Sequence, residues 1–356
     1  MMWRVAKSLT FIVVAFWPLC SMFISLSSLS GNNLPIPQSS HSTVPTLNLA
    51  QALKLWEKGK FQDSLNLLTQ IENPKAEVRF YRRYFEQFLQ PKPSTIASPV
   101  SFAFDSKQCA QQILFVTGSV YSLAQAEVFK SKFVNDQRLK SLSICIQPTI
   151  WFDPEKVRCK ENLSQNGRLA CNMPQLAKSL KMQSFTHLVI FADKGKANVH
   201  NGIMFLDKQD TYDVFVHELA HFSGFVDEYP LRGELANQIC NGVNAPNVVF
   251  RKVRGNNVDK DWQRSTELGQ NIHFSKARTC DNHAVQAYKM DKNMTFMEYH
   301  DVGYIPKLYL LAWQQQLRKQ QNSPSAHVNF AQYYESQNNQ QESQYWRTKY
   351  QAYLKM

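Results

Sequence analysis

Two absences narrow the function of this chain. Lys and Arg exceed Asp and Glu by 40 − 28 = 12, yet no run of five like charges gathers the excess into a basic tail of the kind that binds nucleic acid. No pair of cysteines has the C-x-x-C spacing of a cysteine metal site. The sequence therefore predicts no nucleic-acid partner and a largely solvated positive surface. Where that surface binds anything, it favours acidic polypeptides or anionic lipid headgroups.

The chain does have enough apolar material for a packed core, since 44% of its 356 residues are hydrophobic. Six of its seven cysteines lie beyond residue 100, an even number that permits disulfides in an exported protein. Six cysteines allow 15 pairings, and the sequence alone does not choose among them. The most economical set is Cys109–Cys145, Cys159–Cys171 and Cys240–Cys280.

The N-terminus indicates export. Arg4 and Lys7 are followed by an uncharged run that extends from Ser8 beyond Ser30. This run is longer than the ~7–15 residues of a signal-peptide core and close to the ~20 that span a bilayer. Residues 1–30 are therefore predicted to be a signal peptide or a membrane anchor, and the polar residues 31–47 a flexible linker. The expected location is periplasmic, membrane-anchored facing the periplasm, or secreted.

Helical segments are predicted on both sides of a central domain. Residues 48–98 place apolar side chains at helical spacing, and Trp56, Gly59 and Phe61 resemble the pattern of one tetratricopeptide unit. Such units need neighbours to bury their faces, so a single copy favours completing a core over binding a peptide. Residues 325–356 have a similar pattern of paired helices. The two segments are expected either to pack on each other or to flank the central domain.

Residues 99–320 are predicted to form an α/β domain. After the proline-punctuated stretch QPKPSTIASPV, apolar runs typical of buried strands alternate with helical patterns. The predicted strands are residues 112–118, 141–152, 187–193 and 202–207. This order predicts a mostly parallel sheet that backs one helix with a polar cluster. Residues 240–265 are polar and weakly periodic, which predicts a loop subdomain beside the cleft.

The polar cluster is the sequence HELAH. In a helix, residues four apart lie on one face, so His217 and His221 can direct both imidazoles at one point, as two metal ligands must. Glu218 can reach a water on that metal without taking a coordination position, as a general base does. The alternative is an amphipathic helix that carries these residues by coincidence. Apolar neighbours oppose it, because partly buried histidines need partners.

The longer stretch HELAHFSGFVD resembles the zinc signature of the metzincin clan of metallopeptidases, in the aspartate variant of snapalysin-like proteases. The resemblance implies Zn²⁺ as the cofactor and Asp227 as the third ligand, while a left-handed Gly224 would turn the chain back under the metal. The following DEY is similar to a motif of the immunoglobulin A peptidase family of secreted bacterial zinc proteases. In that family the acidic pair lies one residue further from the second histidine, so Glu228 is the alternative third ligand.

The clan also has a tight turn with a methionine beneath the metal, and TFMEY resembles the Ser/Thr-x-Met-x-Tyr form of this Met-turn. The likeness implies Met297 as the buried floor, with Met294 as a less well placed alternative. It implies that Tyr299 ligates zinc or stabilises the oxyanion, with a core tyrosine as the alternative. The clan's antiparallel edge strand, which pairs with extended substrate, is expected within residues 197–207.

Together these features predict a zinc-dependent endopeptidase with a metzincin-like twisted mixed sheet. His217, His221 and Asp227 are expected to hold Zn²⁺, with Glu218 as general base and Tyr299 assisting catalysis. The expected partner is a polypeptide substrate, and an uncleaved N-terminus would supply a membrane tether. The alternative is a non-catalytic, zinc-containing scaffold that binds partners through its helical flanks. A hydrolase of cell-wall amides ranks third, because no sequence feature indicates a glycan groove.

Overall fold

The structure is a computed structural model that describes residues 47–89, 109–152, 158–160, 168–192, 194–252, 272–319 and 324–356. The predicted signal peptide or anchor at 1–30 and nearly all of the linker at 31–47 lie outside the described residues, as does the proline-punctuated boundary at 90–100. Among the helices of the described part, none is both long and apolar enough to cross a membrane.

A mixed six-stranded sheet forms the centre of the protein. Its strands are β1 (Gln111–Thr117), β2 (Ile144–Ile146), β3 (Ile150–Trp151), β4 (His187–Phe191), β5 (Asn198–His200) and β6 (Ile203–Leu206). They are arranged as β2-β1-β4-β6-β5, with β3 also paired to β1. Every pairing is parallel except the last, in which β5 runs antiparallel to β6. The predicted α/β class and mostly parallel sheet are confirmed, and an antiparallel strand does lie within residues 197–207.

Helices cover this sheet and flank it. In the described residues they are α1 (Leu47–Glu57), α2 (Phe61–Thr69), α3 (Ala76–Leu89), α4 (Val120–Asn135), α5 (Met173–Leu180), α6 (Tyr212–His221), α7 (Gly233–Cys240), α8 (Lys307–Lys319), α9 (His327–Ser336) and α10 (Gln340–Tyr353). Side chains cap several of them: the Ser119 hydroxyl accepts from the N–H of Ser122 at the start of α4, and Thr211 does the same for Val214 at the start of α6.

The strand predicted over residues 141–152 is two short strands, β2 and β3. Pro148 lies between them and has no backbone N–H to donate to a neighbouring strand. Gln147 still donates its backbone N–H to the carbonyl of Ile113 at 2.7 Å, so the chain stays beside β1 across the break. The prediction was right about the position of this segment and wrong about its continuity.

Alternate residues of the buried strands enter two cores, one on each face of the sheet. Phe115 and Phe191 lie in the first core, which is completed by residues of α4, α6 and α8. Leu114 and Ile190 lie in the second, with residues of α5, α9 and α10. The helix α6 with the polar cluster therefore packs on the sheet as predicted, and on the face opposite the C-terminal helices.

The N-terminal helices pack onto the central domain. Gly59 adopts a left-handed φ of +74° in the turn between α1 and α2, a conformation that glycine adopts at little cost. Trp56 is fully buried and its ring stacks on that of Phe85, in a cluster that includes Leu123 and Trp151 of the central domain. The segment thus completes a core, as favoured from its single repeat-like copy.

The C-terminal helices pack onto a different part of that domain. Phe330 of α9 and Trp346 of α10 are fully buried in the second core of the sheet. The hydroxyl of Tyr345 donates to the carbonyl of Lys181 at 2.8 Å, just after α5. The two helical segments therefore flank the central domain at separate clusters.

A small antiparallel sheet follows α7. Its strands are β7 (Val248–Lys252), β8 (Ser275–Ala277) and β9 (Val285–Lys289), in the order β7-β9-β8. Val248 is buried in a cluster with Val226, which comes from the turn after α6. The described part of the loop subdomain predicted at 240–265 therefore contains the strand β7, and residues 253–265 lie outside the described residues.

The three disulfides are those of the most economical pairing. Cys109, just before β1, is bonded to Cys145 in β2, and Cys240, at the end of α7, is bonded to Cys280, just after β8. Cys159 is bonded to Cys171, and residues 160 and 170 between them form a β-bridge. Three disulfides in one chain are typical of proteins that fold in an oxidising compartment.

Candidate metal centre

The two histidines of HELAH lie one turn apart on the buried end of α6. The side chain of Thr211 caps the helix at its start, and the helix ends at His221 itself. The imidazole rings of His217 and His221 have their centroids 5.0 Å apart at an interplanar angle of 85°. Spacing by four residues has therefore brought both rings to one place, as the sequence predicted.

Each ring is oriented by a backbone carbonyl. His217 Nδ1 lies 2.8 Å from the carbonyl oxygen of Phe296, and His221 Nδ1 lies 2.8 Å from that of Phe225. A carbonyl oxygen only accepts, so Nδ1 is the donor in both rings. In the neutral imidazoles Nε2 then carries a lone pair, which is the arrangement found behind metal-binding histidines.

Asp227 completes the group. Its Oδ1 lies 3.0 Å from His217 Nε2 and 3.2 Å from His221 Nε2. Three side chains with ligand atoms within 4.8 Å of one another make up this cluster, and no other cluster of three or more potential metal ligands occurs in the described part of the chain. Asp227 Oδ1 is buried and makes no aligned hydrogen bond with a described group.

The chain reaches Asp227 through a tight turn. Gly224 has φ +78°, which ends the helix as predicted and directs the chain back towards it. The Asp227 carbonyl accepts from the Thr279 hydroxyl at 2.8 Å, and Val226 exchanges two hydrogen bonds with the side chain of Asn247. The small sheet and its disulfide therefore hold the carboxylate in place against α6.

Three converging acceptors repel one another unless a positive charge lies between them. In the metal-free protein that charge is a proton on the imidazole of His221. Burial opposes this positive charge, but the carboxylate of Asp227 outweighs burial and raises the pKa of His221 to about 9. Burial likewise acts against the charge of Asp227, yet the two imidazoles hold its pKa well below the usual range. Two imidazole nitrogens and a carboxylate oxygen also fit the ligand set of a catalytic zinc.

Glu218 lies beside the cluster. It follows His217 on α6 and is 9% exposed. Burial raises the pKa of its carboxyl, while the two neighbouring imidazoles act in the opposite direction. A carboxyl with a raised pKa is suited to accept a proton from water and to give it up again.

Glu228, the alternative third ligand, points elsewhere. Its fully buried carboxylate accepts hydrogen bonds from Asn247 Nδ2 at 3.0 Å, Thr295 Oγ1 at 2.6 Å and the Tyr309 hydroxyl. Lys289 Nζ lies 3.9 Å from it. All of its oxygens are engaged in a structural network behind the cluster, so the structure brings Asp227 and not Glu228 to the two histidines.

The sequence TFMEY forms a tight turn under the cluster. The backbone N–H groups of Glu298 and Tyr299 both donate to the carbonyl of Thr295 at 3.0 Å. Met297 is fully buried in the core that contains α6, whereas Met294 is 52% exposed. The carbonyl of Phe296 in this turn is the one that orients His217. The turn and the helix are therefore joined by a direct hydrogen bond.

Tyr299 does not join the cluster in this structure. It is 51% exposed, which excludes the alternative of a core tyrosine, and the Asp301 carboxylate beside it raises the pKa of its phenol. Its ring lies 5.3 Å from that of His300, whose ring in turn lies 6.4 Å from that of His217. Tyr299 thus lies at the rim of the site and not in contact with the ligand set.

Two residues near the site were missed in the sequence. Tyr229 lies beside Asp227, and burial together with that carboxylate raises the pKa of its phenol, which therefore keeps its proton. Its position two residues after Asp227 could have marked it as a candidate. Arg168 exerts its charge on Glu218 and Tyr229. Nothing in its sequence context marks it, because a distant loop brings it there.

No protein family model, curated protein or solved structure matches this chain. The geometry of the cluster and its surroundings is therefore the basis for assigning a function.

Proposed function

We propose that this protein is a zinc-dependent endopeptidase of metzincin-like fold. The observation that carries the proposal is the convergence of two imidazoles on one carboxylate oxygen: His217 Nε2 and His221 Nε2 lie 3.0 and 3.2 Å from Asp227 Oδ1. The Nδ1–H group of each ring donates to a backbone carbonyl. Such a site needs a cation, and this donor set suits zinc. The nearby Glu218 gives the site its chemistry.

Two further features support a metzincin-like enzyme. Met297 is buried in a tight turn whose Phe296 carbonyl orients a ligand histidine. The strand β5 runs antiparallel at the edge of an otherwise parallel sheet and directly precedes β6 and the helix α6. Both features were expected from the resemblance of HELAHFSGFVD and TFMEY to the clan.

In the proposed reaction, bound zinc supplies Lewis-acid polarisation of a scissile carbonyl and acidifies a water. Glu218 accepts the proton of that water and passes it to the leaving amine. The phenol of Tyr229 keeps its proton and can donate it in a hydrogen bond to the developing oxyanion. Tyr299 would do so only after moving inward from the rim.

The substrate is proposed to be a polypeptide held in an extended conformation. The edge strand β5 has one neighbour, β6, in the described sheet, and an added strand can pair with its other side. The three disulfides support an exported protein that acts in the periplasm, at the membrane surface or outside the cell.

Glu218→Gln tests the proposal most directly. The variant should bind zinc with the stoichiometry of the wild type and lose hydrolysis of casein by about a thousandfold or more, because a missing general base typically costs about 10²–10⁴ in rate. Zinc is measured by atomic absorption, and cleavage by release of labelled peptides. The matched control is Glu234→Gln, an exposed glutamate in the first turn of α7, which should cleave at the wild-type rate.

Zinc content and cleavage together distinguish the peptidase from the non-catalytic scaffold. Stoichiometric zinc with no cleavage of casein or of a proteome-derived peptide library by the wild type would favour the non-catalytic scaffold. Cleavage that survives both Glu218→Gln and chelation would exclude a metal-dependent peptidase.

A further inference from the structure

One buried lysine lies behind the candidate metal centre and has no part in the proposed reaction. Lys289 is in β9 of the small antiparallel sheet, and its side chain is 5% exposed. Its ammonium donates to the carbonyl of Asn293 at 2.8 Å and to the carboxylate of Glu298. Its Nζ also lies 3.9 Å from Glu228 Oε2. A buried ammonium is stable only where carboxylates and carbonyls surround it, so these contacts hold the charge in one place.

The backbone that carries this side chain is fixed as well. The strand β9 is the middle strand of the small sheet, and Lys289 is paired with Val248 of β7 on one side and Ser275 of β8 on the other. The disulfide between Cys240 and Cys280 joins the helix before this sheet to the segment that connects β8 with β9. The small sheet therefore sets the position of the ammonium.

The first carboxylate belongs to the turn that carries the third ligand. Glu228 follows Asp227 directly in the sequence, and its backbone N–H donates to the carbonyl of Met297 at 3.0 Å. Its carboxylate accepts from Thr295 Oγ1 at 2.6 Å, and the residue is fully buried. A buried carboxylate cannot exchange such partners for water. A shift of the Glu228 side chain therefore moves the backbone that bears Asp227.

The second carboxylate belongs to the tight turn TFMEY. Glu298 donates its backbone N–H to the carbonyl of Thr295 at 3.0 Å. Two residues before Glu298, the carbonyl of Phe296 accepts from Nδ1 of His217 at 2.8 Å. A shift of Glu298 therefore moves the group that orients a ligand histidine.

The charge of Lys289 holds the two turns together. Its ammonium pairs with one carboxylate from each turn, and the exposed fractions of these side chains are 0% for Glu228 and 22% for Glu298. Without the ammonium the two carboxylates repel each other, and the repulsion is strong where water is scarce. The turns would then move apart, and the carboxylate of Asp227 would shift relative to the imidazole of His217.

We propose that Lys289 is a positioning residue of the metal centre, which holds the turn of Asp227 against the turn that orients His217 and thereby raises the affinity for zinc. This role rests on the zinc site of the proposed function. It gives the small sheet, which lies outside both the HELAH helix and the TFMEY turn, a task in metal binding.

The variant Lys289→Met removes the charge and keeps the approximate length of the side chain. The folded variant should bind zinc about 10–100-fold more weakly than the wild type, which is the typical loss when a group that supports a ligand is removed. Competition with a fluorescent chelator gives both dissociation constants. The visible absorption spectrum of the Co²⁺-substituted protein should also change, because it reports the geometry of the ligands.

The matched control is Lys181→Met. Lys181 also forms an ion pair, with Glu342 of α10 at 2.5 Å, but among the C-terminal helices. This variant should keep the zinc affinity and the cobalt spectrum of the wild type. Urea unfolding of the metal-free proteins identifies a purely structural role, in which Lys289→Met loses stability while its dissociation constant and cobalt spectrum stay those of the wild type. That result would overturn the inference.

A second variant tests the same contact if Lys289→Met does not fold. Glu298→Gln changes a partly exposed side chain, leaves Lys289 paired with Glu228, and replaces an ionic contact by a neutral one. It should weaken zinc binding by about threefold to tenfold. Equal zinc affinities of the folded Glu298→Gln protein and the wild type would overturn the inference.

None of these measurements needs a substrate, so the two proposals fail separately. A wild type that binds zinc and cleaves no peptide would count against the endopeptidase alone. Equal zinc affinities and cobalt spectra in the wild type, Lys289→Met and Glu298→Gln would overturn the role of Lys289 and leave the proposed peptidase intact.

Discussion

Two pairs of histidines in this protein have opposite properties. His217 and His221 lie at the end of α6 with Asp227 between their Nε2 atoms. His187 at the start of β4 and His327 at the start of α9 are also buried, and they lie among aromatic rings that include Phe185, Phe222 and Trp346. The first pair forms the candidate metal centre, and the second lies in the protein interior.

The carboxylate makes the difference. Burial opposes a charge on His187, His221 and His327, but Asp227 raises the pKa of His221 to about 9. Burial lowers the pKa of His187 to about 3, with His327 adding to the effect, and lowers that of His327 to about 3, with Lys349 adding. A histidine pair therefore becomes a cation site through its acidic partner and not through burial.

The groups behind the rings differ as well. Carbonyl oxygens orient the Nδ1 atoms of the first pair, whereas hydroxyls lie at 2.9 Å from His187 Nδ1 and 3.0 Å from His327 Nδ1. A hydroxyl can donate or accept, so it does not force one tautomer. In His217 and His221, backbone carbonyls fix Nδ1 as the donor and so direct the Nε2 lone pair at the site. A substitution of a neighbouring side chain does not remove these carbonyls.

The largest expected effect is on zinc binding, which should depend on His217 and His221 and not on His187 and His327. His221→Ala should weaken zinc binding by more than about 100-fold, because losing a ligand exceeds the 10–100-fold cost of losing a group that orients one. The control is His327→Gln, which removes a buried imidazole outside the cluster and should bind zinc as the wild type does. Competition with a fluorescent chelator gives both values.

The opposite result would break the comparison. Stoichiometric, tight zinc in His221→Ala would remove this residue from the ligand set. Weakened zinc binding in a folded His327→Gln protein would mean that the second pair supports the metal centre.

The second expected effect is acid destabilisation by the interior pair. In the unfolded chain these histidines titrate near 6.5, whereas in the folded protein they stay neutral down to about pH 3. Below pH 6.5 the unfolded state therefore binds more protons, and stability falls as the pH is lowered towards 3. At about 1.4 kcal/mol per pKa unit, the two histidines together should cost at most about 7 kcal/mol between pH 7 and pH 4.

Urea unfolding at pH 7, 5 and 4 measures this loss. The double variant His187→Gln/His327→Gln should lose less stability than the wild type over the same range, although it starts lower at pH 7. An equal loss in both proteins would assign the acid sensitivity to carboxylates instead.

The smallest expected effect is the release of a proton from His221 when zinc binds. Since His221 holds a proton up to about pH 9 in the metal-free protein, zinc should displace about one proton per ion at pH 7. Calorimetric titration of apo protein with zinc, in buffers that differ in ionisation enthalpy, gives the number directly. A count near zero would mean that both rings are already neutral beside Asp227.

Much of the site was predictable because its parts are local. His217, Glu218 and His221 follow from helix periodicity, and the turn at Gly224 follows from the same ten residues. The disulfides also pair cysteines that are neighbours along the sequence. The break in the strand at 141–152 was equally local, since Pro148 marks it in the sequence.

Which of two similar residues faces the site could not be predicted from the neighbouring sequence. Asp227 and Glu228 are adjacent and equally acidic, yet Asn247, Thr295 and Tyr309 engage Glu228 and leave Asp227 for the histidines. Tyr299 and Tyr229 are a similar case, since the expected Tyr299 lies at the rim and the other, Tyr229, lies beside Asp227. Which of two candidates faces the site depends on the partners that reach it from distant segments.

The sequence by itself determined the two histidines, their glutamate and the α/β class, because helix and strand periods act over a few residues, whereas it left the disulfide pairing open. Only the tertiary structure decided that Asp227 completes the group and that Glu228 lies in a hydrogen-bonded network behind it. Each of these depends on segments tens of residues apart, and burial together with hydrogen bonding selects one arrangement of them.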